Sequence, residues 1–475
     1  MMRLRFWIAL WAGKLAMAVL KLLGNPQDDR PGILIYRICP DFLKYVKKPK
    51  YTVAVTGTNG KSTVTALIND LFRAMGMKTA FNAWGANLKA GHCFLMAGSV
   101  DLLNRSRVDA CVLEADETSS EANMGALQPD TYIVTNISRD SLRRNGHPLY
   151  IKDCIQRAIS KMPKARIILS ADDPISCQMQ AKKVIYTALE GEPGPVPAYR
   201  IQDFSVCPRC YKKPEYVHHH YLHIGKFVCP NCGYRSPEAD YEGFNFDPVS
   251  GHLTIREKKG TGESITTEYQ TGATSVFNAF NYVQVIAYFR SLGISSEKLQ
   301  LVMDKAKIPA SRETDEVVKG ILLSTRLCKG QTGSSASTLF EHIVKTDENL
   351  ELVILVKEEY GSIDAHETIS WLYDTDYEFL ARPNVKKIIL SDPNYADYAV
   401  RFRMAGIEPE RFVCIPDEES IASRVTFEGI DRIYVLHECD LVSAGRRIKD
   451  EIKKKLLHDR RITGAKADGK EGGSR

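Results

Sequence analysis

The chain runs to 475 residues, 44% hydrophobic and 26% charged, with a formal net charge of +6. That length exceeds one ordinary hydrophobic core and predicts about two to four domains. So small a charge gives no argument for a nucleic-acid partner, and none is expected; the composition is that of a globular protein. Of the 12 cysteines, four cluster and the rest are scattered, several in apolar runs, as free thiols in a reducing, cytoplasmic setting would be.

Residues 1–50 read as a helical lead-in. Within it, Leu4 to Leu23 is rich in apolar residues, with Arg3, Arg5, Lys14 and Lys21 interspersed. No small-residue cleavage site marks a signal peptide, and Lys14 interrupts the ~20 apolar residues that a transmembrane helix needs. The pattern predicts an amphipathic helix. It either docks on the protein body or touches the inner face of the cell membrane, with its basic residues at the headgroups.

From residue 51 short apolar strand candidates alternate with helical patterns: Thr52–Thr56, Ala110–Glu114, Tyr132–Thr135 and Arg166–Leu169. Such alternation predicts an α/β fold, a parallel sheet covered by helices. The first strand runs into Gly57-Thr58-Asn59-Gly60-Lys61-Ser62-Thr63, and a helical pattern follows (Val64, Leu67, Ile68, Leu71, Phe72). A glycine-rich loop at a strand-to-helix junction cradles phosphates with its backbone amides, where the helix dipole also favours anions. Lys61 is placed to reach the β/γ-phosphates, and the Ser62 hydroxyl to ligate Mg²⁺. The chain therefore reads as a nucleoside triphosphate binder. Glu114 ends the next strand candidate, where a carboxylate can hold that Mg²⁺; Asp116 and Glu117 read equally well as helix caps.

Near residue 190 a Gly- and Pro-rich stretch breaks the pattern. Residues 200–240 then carry Cys207-Pro-Arg-Cys210 and Cys229-Pro-Asn-Cys232, two CxxC pairs separated by 18 residues. That spacing predicts a zinc ribbon, in which four thiolates close a tetrahedral structural Zn²⁺ site. His218, His219, His220 and His223 lie between the pairs and read as packing or surface residues. The first α/β domain resumes near Tyr269, with a helix over about Ser275 to Leu292. A second α/β domain occupies 310–461, with strand candidates Ile321–Ser324, Leu352–Val356, Lys387–Leu390 and Arg432–Leu436 and helices such as Ser334–Val344 and Tyr395–Met404. Residues 462–475 have little to bury and are expected to be disordered.

Taken together, these segments resemble the Mur ligases, the ATP-dependent amide-forming enzymes of peptidoglycan synthesis. Gly57–Thr63 is similar to their GTNGKST loop, Asn82–Asn87 to NxxGAN, Thr135–Asp140 to TNxxRD and Ala171–Pro174 to ADDP. Phe277–Asn281 resembles the segment whose asparagines, Asn278 and Asn281 here, lie by the adenine. The zinc ribbon and the run Ser370-Trp371-Leu-Tyr-Asp374-Thr-Asp376-Tyr377-Glu378 resemble the MurT type within this family. The resemblance implies a central ATP-binding domain over 51–309, carrying the ribbon, and a MurT-type, Rossmann-like C-terminal domain over 310–461.

It also implies an activity. MurT-type proteins are the ATP-consuming subunits of lipid II isoglutaminyl synthase. They activate the D-glutamate α-carboxylate of a lipid-linked muropeptide as an acyl phosphate. A GatD-like class I glutaminase partner supplies the ammonia, and D-isoglutamine results. Lys61 would then be catalytic. So would an acid in the DGRD-like segment that completes the partner's Cys–His pair: Glu367 by position, with Asp364 as the fallback. The chain departs from the family pattern where Arg143 and His147 replace acids near the expected phosphate and metal site, and where Ser324 to Gln331 opens the second domain. Two other readings stand beside this one: a stand-alone Mur-type amino-acid ligase, and a non-catalytic nucleotide-binding scaffold.

Overall fold

A computed structural model describes the whole chain apart from residues 1, 26–28, 83–85, 141–145, 192, 195, 197–198, 261, 307–313, 330–331, 357–370, 439–440 and 460–475. The chain divides into two units, one of residues 1–138, 147–197 and 202–309, the other of 139–146, 198–201 and 310–475.

The first unit opens with helices α1 (Met2–Leu22), α2 (Arg30–Ile38) and α3 (Phe42–Tyr45). An alternating region follows: β1 (Tyr51–Thr56), α4 (Lys61–Ala74), β2 (Thr79–Phe81), α5 (Lys89–Ser99), β3 (Ala110–Glu114), α6 (Ser120–Leu127), β4 (Thr131–Val134), α7 (Pro148–Ser160), β5 (Arg166–Ser170) and β6 (Val184–Leu189). Next come the hairpin β7 (Glu215–Tyr221) and β8 (Ile224–Val228), then β9 (Tyr241–Asp247), β10 (His252–Lys258), β11 (Ser264–Gln270), α8 (Val276–Ser291) and α9 (Ser296–Met303). The main sheet has the order β11-β10-β9-β6-β5-β4-β1-β3-β2. It is parallel from β2 to β9 and antiparallel through β10 and β11.

The burial pattern explains the topology. β1, β3 and β4 are buried along almost their whole length, as central parallel strands covered on both faces must be. Helix α8 is buried on every side from Ala279 to Phe289. The sequence shows an apolar helix there but does not show the antiparallel extension β9–β11, whose outer strand is mostly exposed and carries little apolar signal. At the N-terminus, Phe6, Ala9 and Leu10 of α1 are buried. Phe6 stacks on Phe42 with ring centroids 5.2 Å apart. Gly13 lets α1 approach α2 closely, because a Cβ there would sit 2.4 Å from the Ile35 side chain. One face of α1 is thus docked on the body of the unit. Among the described residues, no helix is long and apolar enough to cross a membrane.

The second unit contains β12 (Thr314–Val318), β13 (Ile321–Leu327), α10 (Gly333–Ile343), β14 (Leu350–Leu355), α11 (Trp371–Asp374), β15 (Val385–Ser391), α12 (Tyr395–Met404), β16 (Phe412–Ile415), α13 (Ile421–Arg424), β17 (Arg432–His437) and α14 (Val442–His458). Its sheet order is β12-β13-β17-β14-β15-β16, parallel except for the β12–β13 pair. Alternate residues of β14 serve opposite faces: Leu352 and Ile354 join one core, Val353 and Leu355 the other.

Candidate functional site

Residues 57–60 turn the chain from β1 into α4. Gly57 (φ 122°) and Gly60 (φ 87°) hold backbone that other residues rarely adopt. Space also demands glycine. A Cβ on Gly57 would lie 2.3 Å from Thr135 Oγ1, and one on Gly60 would lie 2.5 Å from Asn281 Oδ1. The loop is thereby held between the chain leaving β4 and helix α8.

The segment leaving β4 is its main support. Thr58 N donates to Asn136 O at 2.8 Å, and Thr58 Oγ1 donates to Ser138 O at 3.0 Å. The Asn59 carbonyl accepts from Thr135 Oγ1 at 2.6 Å and from Asn136 Nδ2 at 3.0 Å. Gln284 of α8 donates through Nε2 to Val134 O and Thr135 O, at 3.1 and 3.2 Å. Asn278 stands in the first turn of α8, where Ser275 Oγ caps the helix by accepting from its amide at 3.4 Å. The ADDP segment completes the frame. Asp173 accepts from Ile137 N at 2.8 Å and from Ile175 N at 2.9 Å, and Asp172 accepts from Leu189 N at 2.7 Å.

Two carboxylates meet the start of α4. Ser62 Oγ donates to Glu114 Oε2 at 2.7 Å. Lys61 Nζ donates to the Gly57 carbonyl and, at 2.7 Å, to Glu117 Oε1; the two side chains are 14% and 7% exposed. Glu114 is aligned from behind, since its amide donates to Asn82 Oδ1 at 3.3 Å and its carbonyl meets His92 Nε2 at 2.8 Å. Asn82 and Asn87 of the NxxGAN-like segment therefore act on the acidic strand end, Asn87 by accepting from Asp116 N at 3.1 Å. This set of backbone amides, one ammonium, one hydroxyl and two carboxylates can hold a polyphosphate together with a hard divalent cation.

The structure separates Asp116 from Glu117. Asp116 Oδ1 accepts from the Thr118 and Ser119 amides and so closes the turn that leads into α6, whose N-cap is Ser119. Glu117 instead pairs with Lys61, a partner that the capping reading misses. His147 is the N-cap of α7, with Nδ1 accepting from Leu149 N at 3.2 Å. Arg143, Glu367 and Asp364 fall outside the described residues.

The four cysteines form a second constellation. Cys207 N donates to Lys212 O and Tyr211 N to Cys207 O; Cys229 N donates to Tyr234 O and Gly233 N to Cys229 O. Each knuckle is thus closed by the same pair of bonds and followed by a left-handed residue, Tyr211 (φ 60°) or Gly233 (φ 71°). All four sulfurs lie within 4.8 Å of one another, with Cys207–Cys232 at 3.6 Å and Cys210–Cys229 at 3.4 Å. Sulfurs ~2.3 Å from a tetrahedral Zn²⁺ stand about 3.8 Å apart, so the donor set fits a metal with modest expansion.

The hairpin beside this cluster reaches the loop support. His223 Nε2 meets Ile137 O at 2.9 Å and stands 3.6 Å from Asp173. Burial opposes a proton on His223, but the Asp173 carboxylate outweighs burial and raises its pKa above the ordinary imidazole value. At His220 burial wins over the raising effects of Asp172 and of the Leu189 carbonyl, 2.9 Å from its Nε2, and pushes it down to about 4. Tyr221 packs against Phe277 of α8 with centroids 4.4 Å apart. The histidines expected as packing or surface residues thus include His218 and His223, both buried. The pairing of His223 with Asp173 had no signal in the sequence beyond a histidine in the turn between β7 and β8.

In the second unit the run from Trp371 is used internally. Asp376 N donates to Ser337 Oγ and its carboxylate accepts from Arg200 N, at 2.8 and 2.7 Å. Glu378 pairs with Arg401 at 2.7 Å and Arg200 at 2.8 Å. Arg401 is fully buried and also donates to the Leu372 and Thr375 carbonyls. Asp374 stands 3.5 Å from Arg139, the arginine of the TNxxRD-like segment.

Comparison with known proteins places these features. The Mur ligase middle domain family matches residues 55–213, and the MurT ligase C-terminal family matches residues 332–439. Subunit MurT of the glutamine-hydrolysing lipid II isoglutaminyl synthase of Streptococcus pneumoniae is 26% identical, over 92% of this chain and 95% of the relative. The Staphylococcus aureus subunit of the same name is 25% identical, over 85% and 89%. A pseudomurein peptide ligase type C from Methanothermus fervidus superposes with a TM-score of 0.65 at 19% identity, over 87% of this chain and 81% of that one. MurF from Acinetobacter baumannii gives 0.60 at 12%, over 89% and 80%. The fold is that of the Mur ligases. Within that class the chain is most like the MurT type: its C-terminal domain matches the MurT family, and the MurT subunits above are similar to it over nearly its whole length.

Proposed function

We propose that the chain is the ATP-consuming subunit of a glutamine-dependent amidating ligase acting on a lipid-linked muropeptide. The observation that carries this is the paired arrangement Lys61–Glu117 and Ser62–Glu114 at the head of α4, in a chain similar to MurT subunits over nearly its whole length. A carboxylate is a poor electrophile. Transfer of the ATP γ-phosphoryl group to a D-glutamate α-carboxylate oxygen gives an acyl phosphate and ADP. The nitrogen lone pair of ammonia then attacks the carbonyl carbon, phosphate departs with the C–O bonding pair, and the nitrogen sheds a proton to give the amide of D-isoglutamine.

In this reading the loop amides of Gly57–Thr63 and Lys61 balance charge on the transferring group. Ser62 and Glu114 hold Mg²⁺, which supplies Lewis-acid neutralisation of the phosphate oxygens when bound. Glu117 holds the Lys61 ammonium in place until phosphate arrives. Asn278 and Asn281 serve the nucleoside end. Cys207, Cys210, Cys229 and Cys232 hold a structural Zn²⁺. Ammonia comes from a GatD-like class I glutaminase, whose Cys–His pair Glu367, or failing it Asp364, completes.

The test is ATP hydrolysis with a D-glutamate-containing muropeptide, with and without the glutaminase. The reading predicts turnover driven by glutamine only when the glutaminase is present, and by free ammonium without it. Glu367→Ala is expected to abolish the glutamine-driven rate and spare the ammonium-driven one. Absence of product under both conditions would sink the ligase reading for this acceptor.

A further inference from the structure

Helix α1 is apolar on both of its faces. The side formed by Phe6, Ala9 and Leu10 is buried on the protein. The opposite side carries Leu4, Ile8, Trp11, Leu15, Val19 and Leu22, between 45% and 88% exposed. Steps of three and four residues put all six on one stripe, about 27 Å long at 1.5 Å per residue. The stripe is widened by Leu102 and Leu103, also more than half exposed, next to which Trp11 Nε1 donates to Leu102 O at 3.0 Å. A contiguous apolar surface of this kind marks an interaction site rather than scattered exposed side chains.

Charge identifies the occupant. The first 27 residues hold Arg3, Arg5, Lys14 and Lys21 and no acidic residue. Arg3, Arg5 and Lys21 are exposed, and so are Arg105 and Arg107 just beyond Leu103. The Trp11 indole N–H is satisfied within the protein, so its ring can enter an apolar phase without stranding a donor. A docked helix, too short of apolar residues to cross a bilayer, with an outward apolar stripe and flanks that are cationic apart from Asp101, which is tied to the Leu103 and Arg105 amides, suits an anionic lipid surface.

We propose that α1 lies flat on an anionic bilayer, with its Leu4–Leu22 stripe sunk into the headgroup–acyl boundary and its cations at the headgroups. This rests on the surface of α1 and the adjoining 102–107 segment, and stands whether or not the ligase reading does. The experiment is co-sedimentation of the full chain with vesicles of phosphatidylcholine, with and without phosphatidylglycerol. Expected is binding at least tenfold tighter to the anionic vesicles, weakening as salt rises. Ile8→Glu/Leu15→Glu changes two exposed side chains and is expected to lower vesicle binding at least tenfold with an unshifted melting temperature. Should that variant fail to fold, Arg3→Glu/Lys21→Glu decides, by abolishing the anionic preference. Wild-type protein that ignores anionic vesicles at low salt overturns the proposal. So does vesicle binding unchanged in both variants, or a concentration-dependent dimer that the Ile8→Glu/Leu15→Glu change dissociates.

Discussion

The loop Gly57–Thr63 and the run Trp371–Glu378 are equally dense in motif residues, and the structure uses them in opposite ways. In the loop, backbone groups carry the framework, and the Lys61 and Ser62 side chains project to two carboxylates at the head of a helix. In the run, the polar side chains are drawn into the framework: Asp376 accepts from a backbone amide, and Glu378 is held by two guanidinium groups. Density of a motif therefore does not separate chemistry from architecture. What separates them is where the charged groups stand: at the glycine-built head of α4 in one case, and among side chains that tie one framework segment to another in the other.

Substitutions turn this difference into measurements. Lys61→Met removes the only charge that the loop itself contributes, and is expected to lower ATP turnover by about 10²–10³-fold, the usual loss for one preorganised charge-stabilising group. Turnover within tenfold of wild type would show that the loop is not the phosphate cradle. Glu378→Ala is expected to act on stability instead. It leaves the fully buried Arg401 guanidinium without its carboxylate, at a cost of about 2–4 kcal/mol, toward the low end for a broken buried pair because Glu378 is itself 38% exposed. A denaturant midpoint that does not move would mean the Leu372 and Thr375 carbonyls suffice for Arg401.

The hairpin β7–β8 belongs with the run rather than the loop. His223 has its pKa raised in the fold by Asp173 against the opposing effect of burial. Its contribution to stability is therefore fully present below the ordinary imidazole value of about 6.5 and is lost as pH rises through the raised value. His220, pushed down to about 4 by burial, works the other way, losing stability as pH falls from about 6.5 towards 4. His223→Gln is accordingly expected to cost about 1–2 kcal/mol at pH 6 and less at pH 9. Equal costs at the two pH values would show that the His223–Asp173 pair is not ionised.

What the sequence makes legible follows from the range of the interactions. Strand-loop-helix order, the glycine positions and the CxxC spacing are local, and the strands Ala110–Glu114 and Arg432–His437 stand where the alternation of patterns puts them. Of the partners distant in the chain, Ser62 and Glu114 were legible through the metal they were expected to share, and the others were not. Lys61 meets Glu117 because β1 and β3 are neighbours in the sheet, and His223 meets Ile137 because the separate β7–β8 hairpin folds back onto the chain leaving β4. Gln284 is hidden for a different reason: on a helix buried all round, one polar residue carries no periodic signal.

His147 gives the sharpest form of the comparison, because sequence and structure put it on opposite sides. By alignment with the family pattern it replaces an acid near the phosphate and metal site. By geometry it caps α7, accepting from Leu149 N at 3.2 Å, and is solvent-exposed. A cap is worth about 0.5–1 kcal/mol at an exposed helix start, and aspartate serves there as well or better. His147→Ala is therefore expected to lower stability by that amount, His147→Asp to restore it, and both to leave ATP turnover within a factor of two. A tenfold fall in turnover for His147→Ala at unchanged stability would move this residue from the architectural class to the chemical one, and would make the family-pattern reading of the 139–147 segment the better guide.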